Sequence, residues 1–129
     1  MSIEKQTYRA GPYKNVFAQA VKTGNVIHLS GQVGMDSKGK LGADMVEQTE
    51  IAYANIKHVL SEMGASLDNI VDETMFVTDM GEFMTKGEAL LGARAKAYGG
   101  VPEVCQTVVQ VTALVMPELK IEIKCVAHV

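Results

Sequence analysis

Residues 104–129, VCQTVVQVTALVMPELKIEIKCVAHV, restrict the possible folds more than any other stretch of the chain. They read as two runs that alternate strictly with a period of two, separated by a turn at residues 115–118. In a strand, successive side chains point to opposite faces, so alternation defines two faces. In the first run Cys105, Thr107, Val109, Val111 and Ala113 share one face, with Gln106, Val108, Gln110 and Thr112 on the other. In the second, Leu119, Ile121, Ile123, Cys125 and Ala127 oppose Lys120, Glu122, Lys124 and Val126. Antiparallel pairing across the turn would put both apolar rows on the core side, because a slip of one residue would bury Glu122 and two lysines. Gln106, Gln110, Lys120, Glu122 and Lys124 would then share the opposite face. A sheet face this polar and varied is where a site is expected.

The rest of the chain supplies the partners. Residues 3–9 and 15–22 have strand composition, with Gly11-Pro12 between them. Lys22-Thr23-Gly24-Asn25 reads as a hairpin turn into a strand over 26–30, which Gly31 ends or bulges. A polar loop over 34–42 leads to a helix capped by Asp44 and Glu47. Its inner face is Met45, Thr49, Ala52, Ile56, Val59, Leu60 and Met63, and Gly64 stops it. A strand follows over 67–78. A second helix starts at Asp79 and Glu82, runs to Tyr98 and carries Phe83, Gly87, Leu90, Leu91 and Ala97 inward.

The expected fold is therefore α+β, in the order β-β-β-α-β-α-β-β, as one domain over 1–129. Right-handed crossovers place two helices on one face of a single mixed sheet. The other face stays uncovered, and Val108, Thr112 and Val126 make it partly apolar, which suggests self-association with polar pockets between subunits.

Composition narrows the function. The net charge is −3 and the basic residues are scattered, so no nucleic-acid surface is indicated. No apolar run approaches membrane-spanning length, and the first residues lack a signal-peptide core. Two cysteines without CxxC spacing point to free thiols in a reducing compartment, the cytosol by default. Cys105 and Cys125 both read as buried and inert. No pair of histidines among His28, His58 and His128 has metal-ligand spacing. The eight methionines fit a core or an interface.

The punctuation of the chain resembles the reactive intermediate deaminase (Rid, or YjgF) family over nearly its whole length. The matching text is Gln19-Ala20-Val21, Gly24-Asn25, Ser30-Gly31-Gln32, Glu47-Gln48-Thr49, Asn55-Ile56, Gly64-Ala65-Ser66-Leu67, Val77-Thr78-Asp79-Met80 and Leu119-Lys120-Ile121-Glu122-Ile123. The resemblance implies a chorismate-mutase-like subunit in a homotrimer, with small-molecule clefts between neighbours. It implies hydrolysis of imines or enamines such as 2-aminoacrylate to a keto acid and ammonia, with no metal or cofactor.

Carried over residue by residue, the family's water-positioning Glu falls on Glu122. Its carboxylate-clamping Arg falls on Gln106, and the Cys two residues later on Val108. The helical Asn falls on Gly87 and the N-terminal Tyr on Phe17, since Gly11-Pro12-Tyr13 lies four residues too early. An Arg–carboxylate fork contributes two charge-assisted bonds of about 1.5–3 kcal/mol each. Gln106 offers a donor without charge, so a 2-imino acid would bind less well.

Each candidate has a plainer alternative. Glu122 could orient water or pair with Lys120, Lys124 or a neighbouring subunit. Gln106 could meet a ligand beside Glu122 or serve as an interface group. Ser30 and Gly31 could line the pocket floor through their backbone, and Gly31 could equally be a bulge. Gly87 could serve close helix–sheet packing or leave room for a ligand. Three functions follow: an imine or enamine deaminase, a non-catalytic trimer binding a metabolite or a partner protein, and a ribonuclease or translation inhibitor. The charge balance disfavours the last.

Overall fold

Strands β1 (Gln6–Tyr8), β2 (Ala20–Thr23), β3 (Val26–Leu29), β4 (Gln32–Val33), β5 (Ile70–Val77), β6 (Cys105–Gln110) and β7 (Ile121–His128) form one mixed sheet in the computed structural model, which describes residues 2–129. The strand order is β1-β2-β3-β7-β5-β6, with β4 also paired to β7. Among the described residues only β5 and β6 run parallel. Helices α1 (Met45–Glu62), α2 (Met80–Thr85) and α3 (Gly87–Tyr98) complete it, α1 packing on β4 and β7 and beside α3. The class is α+β as expected, with three helices in place of two and seven strands in place of six.

Local chemistry explains the helix boundaries. Asp44 accepts the Glu47 amide at 2.8 Å and Asp79 that of Glu82 at 3.0 Å, so both expected caps form. Every residue assigned to the inner face of α1 is buried. The second helix is interrupted at Lys86, which caps α2 and precedes Gly87, the first residue of α3. The break resets the helical phase. Leu90 and Arg94 turn inward, and Leu91, expected inside, is 45% exposed.

The C-terminal runs do not form a hairpin. β5 lies between them, antiparallel to β7 and parallel to β6. The connection straddles the end of β5: the Val111 amide donates to Val77 O at 2.8 Å and the Thr78 amide to Lys120 O at 3.1 Å. Alternation specifies the faces of a strand and says nothing about its neighbours. The faces of β7 are as expected, with Ile121, Ile123, Cys125 and Ala127 fully buried. Those of β6 are reversed. Gln106 sits opposite Glu73 and Val108 opposite Met75, both on the helix side, so Cys105, Thr107 and Val109 face out. β6 is an edge strand with little of either face covered, so its weak alternation could not decide its orientation.

Gln48 ties these layers together. Its amide nitrogen donates to Gly42 O and Glu118 O, both at 3.1 Å, and its carbonyl accepts the Lys120 amide at 2.8 Å. The residue is 1% exposed. A Cβ at Gly34 would lie 2.2 Å from its Cβ, so Gly34 is needed for the approach. Gln48→Leu would strand one buried and two part-buried backbone groups, and a loss of about 2–4 kcal/mol is expected from urea unfolding.

Candidate active site

The site begins with a register change. His28 faces Val126 and Gln32 faces Ile123, four steps on one strand against three on the other. The extra residue makes a bulge at Ser30-Gly31, which keeps Leu29 and Gln32 both on the buried side. Gly31 is required there. A Cβ on it would lie 2.1 Å from Glu122 Oε2 and 2.6 Å from its Cδ. The absence of a side chain is what lets the carboxylate lie over the backbone.

Residues 12–16 form turns, and the strand expected over 15–22 starts only at Ala20. Phe17 donates its amide to Tyr13 O at 3.1 Å, one helical turn, which stacks the two rings at 5.7 Å between centroids and 18° between planes. The Ser30 hydroxyl holds this segment by donating to Ala18 O at 2.7 Å. Gln32 donates to Gln19 Oε1 at 2.9 Å, and Asn55 reaches from α1 to Val33 O and Met35 O at 3.0 and 2.9 Å. Tyr13, Phe17, Ser30, Gly31, Asn55 and Glu122 thus line one open cleft of about 580 Å³.

Glu122 is its reactive group. Burial raises its carboxyl above the usual 4.5, and Lys124 opposes this in part. The Lys124 ammonium itself donates to Leu29 O at 3.0 Å. Among the described residues no side chain forms an ion pair with Glu122, so the expected alternative of pairing with Lys120 or Lys124 is not what the structure shows. A half-buried carboxylate left without a partner can accept a proton from water or hold a cation.

Four of the nominated residues, Phe17, Ser30, Gly31 and Glu122, therefore meet. The other three do not. Gln106 lies on the helix side of the sheet, where its amide donates to Glu73 Oε1 at 2.9 Å, rather than beside Glu122. Val108 packs against the core on the same side. Gly87 starts α3, and a Cβ there would touch nothing within 4 Å, so close packing does not explain it. Cys125 is buried as expected, whereas Cys105 is exposed. Tyr13 lies four residues ahead of the register that puts Phe17 in the family's Tyr position, yet the i, i+4 spacing of Tyr13 and Phe17 is a legible signal of a turn. Among the described residues no group of three ligating side chains could hold a metal, and no helix is long and apolar enough to cross a membrane.

A second polar centre lies on the helix side of the sheet. Glu73, 1% exposed, accepts from Arg94 Nε, Tyr53 OH at 3.0 Å, Tyr98 OH at 2.7 Å and Gln106. Burial, with the Glu73 charge added, pushes both phenols upward and keeps them protonated donors. Burial disfavours the Arg94 charge, and its bond to Glu73 more than offsets this.

Residues 8–129 match the family model described as Endoribonuclease L-PSP. The chain is 35% identical to Reactive Intermediate Deaminase A, chloroplastic, of Arabidopsis thaliana, over 98% of this chain and 64% of that protein. It is 36% identical to the 2-iminobutanoate/2-iminopropanoate deaminase of Mus musculus, over 68% of this chain and 64% of that protein. Among solved structures it superposes on Rv2704 of Mycobacterium tuberculosis, described as a YjgF/YER057c/UK114 family member. The TM-score is 0.81 at 28% identity, over 98% of this chain and 100% of that one.

Proposed function

The chain belongs to the Endoribonuclease L-PSP family, in which it resembles reactive intermediate and imine deaminases, and from that premise we propose that it hydrolyses a small imine or enamine to a carbonyl compound and ammonia. The observation that carries this reading is the unpaired Glu122 carboxylate held over Gly31 in an aromatic-walled cleft. Water adds to the imine carbon as Glu122 takes its proton and returns it to nitrogen, giving a carbinolamine. Glu122 then takes the carbinolamine hydroxyl proton and passes it to nitrogen, so that C=O forms as the C–N bond breaks and ammonia leaves. Glu122 acts as base and then as acid in each transfer, and a carboxyl raised by burial suits both roles. Tyr13 and Phe17 hold the substrate's apolar part, while Ser30 fixes the wall that carries Phe17. The exposed Cys105 thiol suits a reducing compartment, the cytosol by default.

The test is Glu122→Gln. Turnover should fall by roughly 10²–10⁴-fold, the range for a positioned general base, with unfolding unchanged or slightly improved. The sign of the pH dependence follows from the raised carboxyl. The base is lost as pH falls through the folded pKa, so activity should rise with pH through an ionisation above 4.5. Folding stability moves oppositely: a carboxyl raised by burial favours the folded state as pH falls through the folded pKa. Unchanged turnover in Glu122→Gln would remove Glu122 from the mechanism.

We place the working cleft at a boundary between copies in a homotrimer. Phe76 and Val109 lie side by side on the uncovered sheet face in line with Glu122, and Val126 lies further along it. A second copy covering these groups would also close the open cleft. Sedimentation should give three times the chain mass of 13.9 kDa, and a purely monomeric species would overturn the arrangement.

A further inference from the structure

Resting on the hydrolase reading, we propose that the cleft takes imines without a carboxylate, in the form of apolar or aryl-bearing iminium cations. Its charged lining is Glu122 and Asp36, and among the described residues no lysine, arginine or histidine lines it. The Asp36 carboxylate accepts the Lys38 and Lys40 backbone amides at 2.9 Å each, bonds that bring no cation to it. Lys124, the cation that Glu122 feels most, is exposed and spends its ammonium on the Leu29 carbonyl. An anionic substrate entering here would meet negative charge that Lys124, outside the lining, opposes only in part.

The rest of the lining completes the selection. Tyr13 and Phe17 present stacked rings, with Met35 and Val115 beside them. Such a wall binds hydrocarbon or an aryl group, and an aromatic face also attracts a cation. A protonated imine carries its positive charge on the group to be hydrolysed, so Glu122 both attracts the substrate and sits beside the carbon that water attacks. The reaction balances as RCH=NH2⁺ + H2O → RCHO + NH4⁺, with no other reactant. Substrates of this kind come from oxidation of primary amines, so an amine-oxidising reaction must supply them.

The experiment uses a matched pair that differs only by the carboxylate. 2-Phenylethanimine is released in situ by an amine oxidase acting on phenethylamine. 2-Imino-3-phenylpropanoate is released by an amino-acid oxidase acting on phenylalanine. The gain in carbonyl and ammonia release over the spontaneous rate is measured for each. A kcat/KM roughly tenfold or more in favour of 2-phenylethanimine is expected from the like-charge contact with Glu122. Equal rates, or a preference for the imino acid, would overturn the proposal, as when a second copy brings a cation into the cleft. If neither imine is hydrolysed, the hydrolase reading falls and binding decides the ligand class. Phenethylamine and phenylacetate are then titrated by tyrosine fluorescence, the chain having four Tyr and no Trp. Tighter phenethylamine binding that Glu122→Gln abolishes would sustain the proposal; equal or tighter phenylacetate binding would overturn it.

Discussion

Glu73→Leu is expected to lower stability by about 3–5 kcal/mol, the loss typical when one partner of a buried ion pair is removed. Glu73 is an acceptor shared by four donors on three elements: Tyr53 on α1, Arg94 and Tyr98 on α3, and Gln106 on β6. Without it the Arg94 side chain, only 14% exposed, keeps a charge that no partner balances. The two phenol groups also lose their acceptor. Against a typical total of about 5–15 kcal/mol, such a loss is a large share of the fold's stability. A paired change separates charge from packing. Glu73→Leu combined with Arg94→Met should cost less than the sum of the two single changes, because no orphan charge remains. Urea unfolding of the four proteins measures this. A single-variant loss under about 1 kcal/mol would mean that water reaches Arg94 and that the network does little to hold α3 on the sheet.

The second large effect is expected at Gly31, and it should fall on function more than on folding. A methyl group there would collide with the Glu122 carboxylate and drive it from its place over the bulge. The displaced atoms end a flexible, half-buried side chain, so relief is cheap for the fold. It is not cheap for the proposed chemistry, in which a misplacement of about 1 Å can cost roughly 10²-fold. Gly31→Ala should therefore lower imine hydrolysis by about 10²-fold and move the urea midpoint little. An active Gly31→Ala protein would show that Glu122 works from another position. An unfolded one would show that the bulge cannot tolerate any side chain.

These two glutamates mark how legible the chain was. Glu122 stood out because it lies on the polar row that alternates with Leu119, Ile121, Ile123, Cys125 and Ala127, and the resemblance of Leu119-Lys120-Ile121-Glu122-Ile123 to a family pattern gave it a role. Glu73 had no such contrast. It lies in Asp72-Glu73-Thr74, polar text that reads as an exposed strand edge, and its partners are 20 to 33 residues away. Charge pairing at that separation leaves no periodic trace. The same blindness placed Gln106 beside Glu122. Gln106 falls beside Glu122 only if the two C-terminal runs are neighbours, and β5, lying between them, puts Gln106 on the opposite face.

What the sequence determined by itself was local: both carboxylate helix caps, the stop at Gly64, the buried face of α1, the buried row of β7 and the glycine at the bulge. Each depends on hydrogen bonds or side-chain periodicity within a few residues, which composition and spacing encode directly. Tertiary structure alone decided which strands are neighbours, how the edge strand β6 is turned, where the second helix breaks and which residues surround Glu73. These are settled by competition among distant surfaces for burial and for buried hydrogen-bond partners, and no stretch of chain carries that competition within itself.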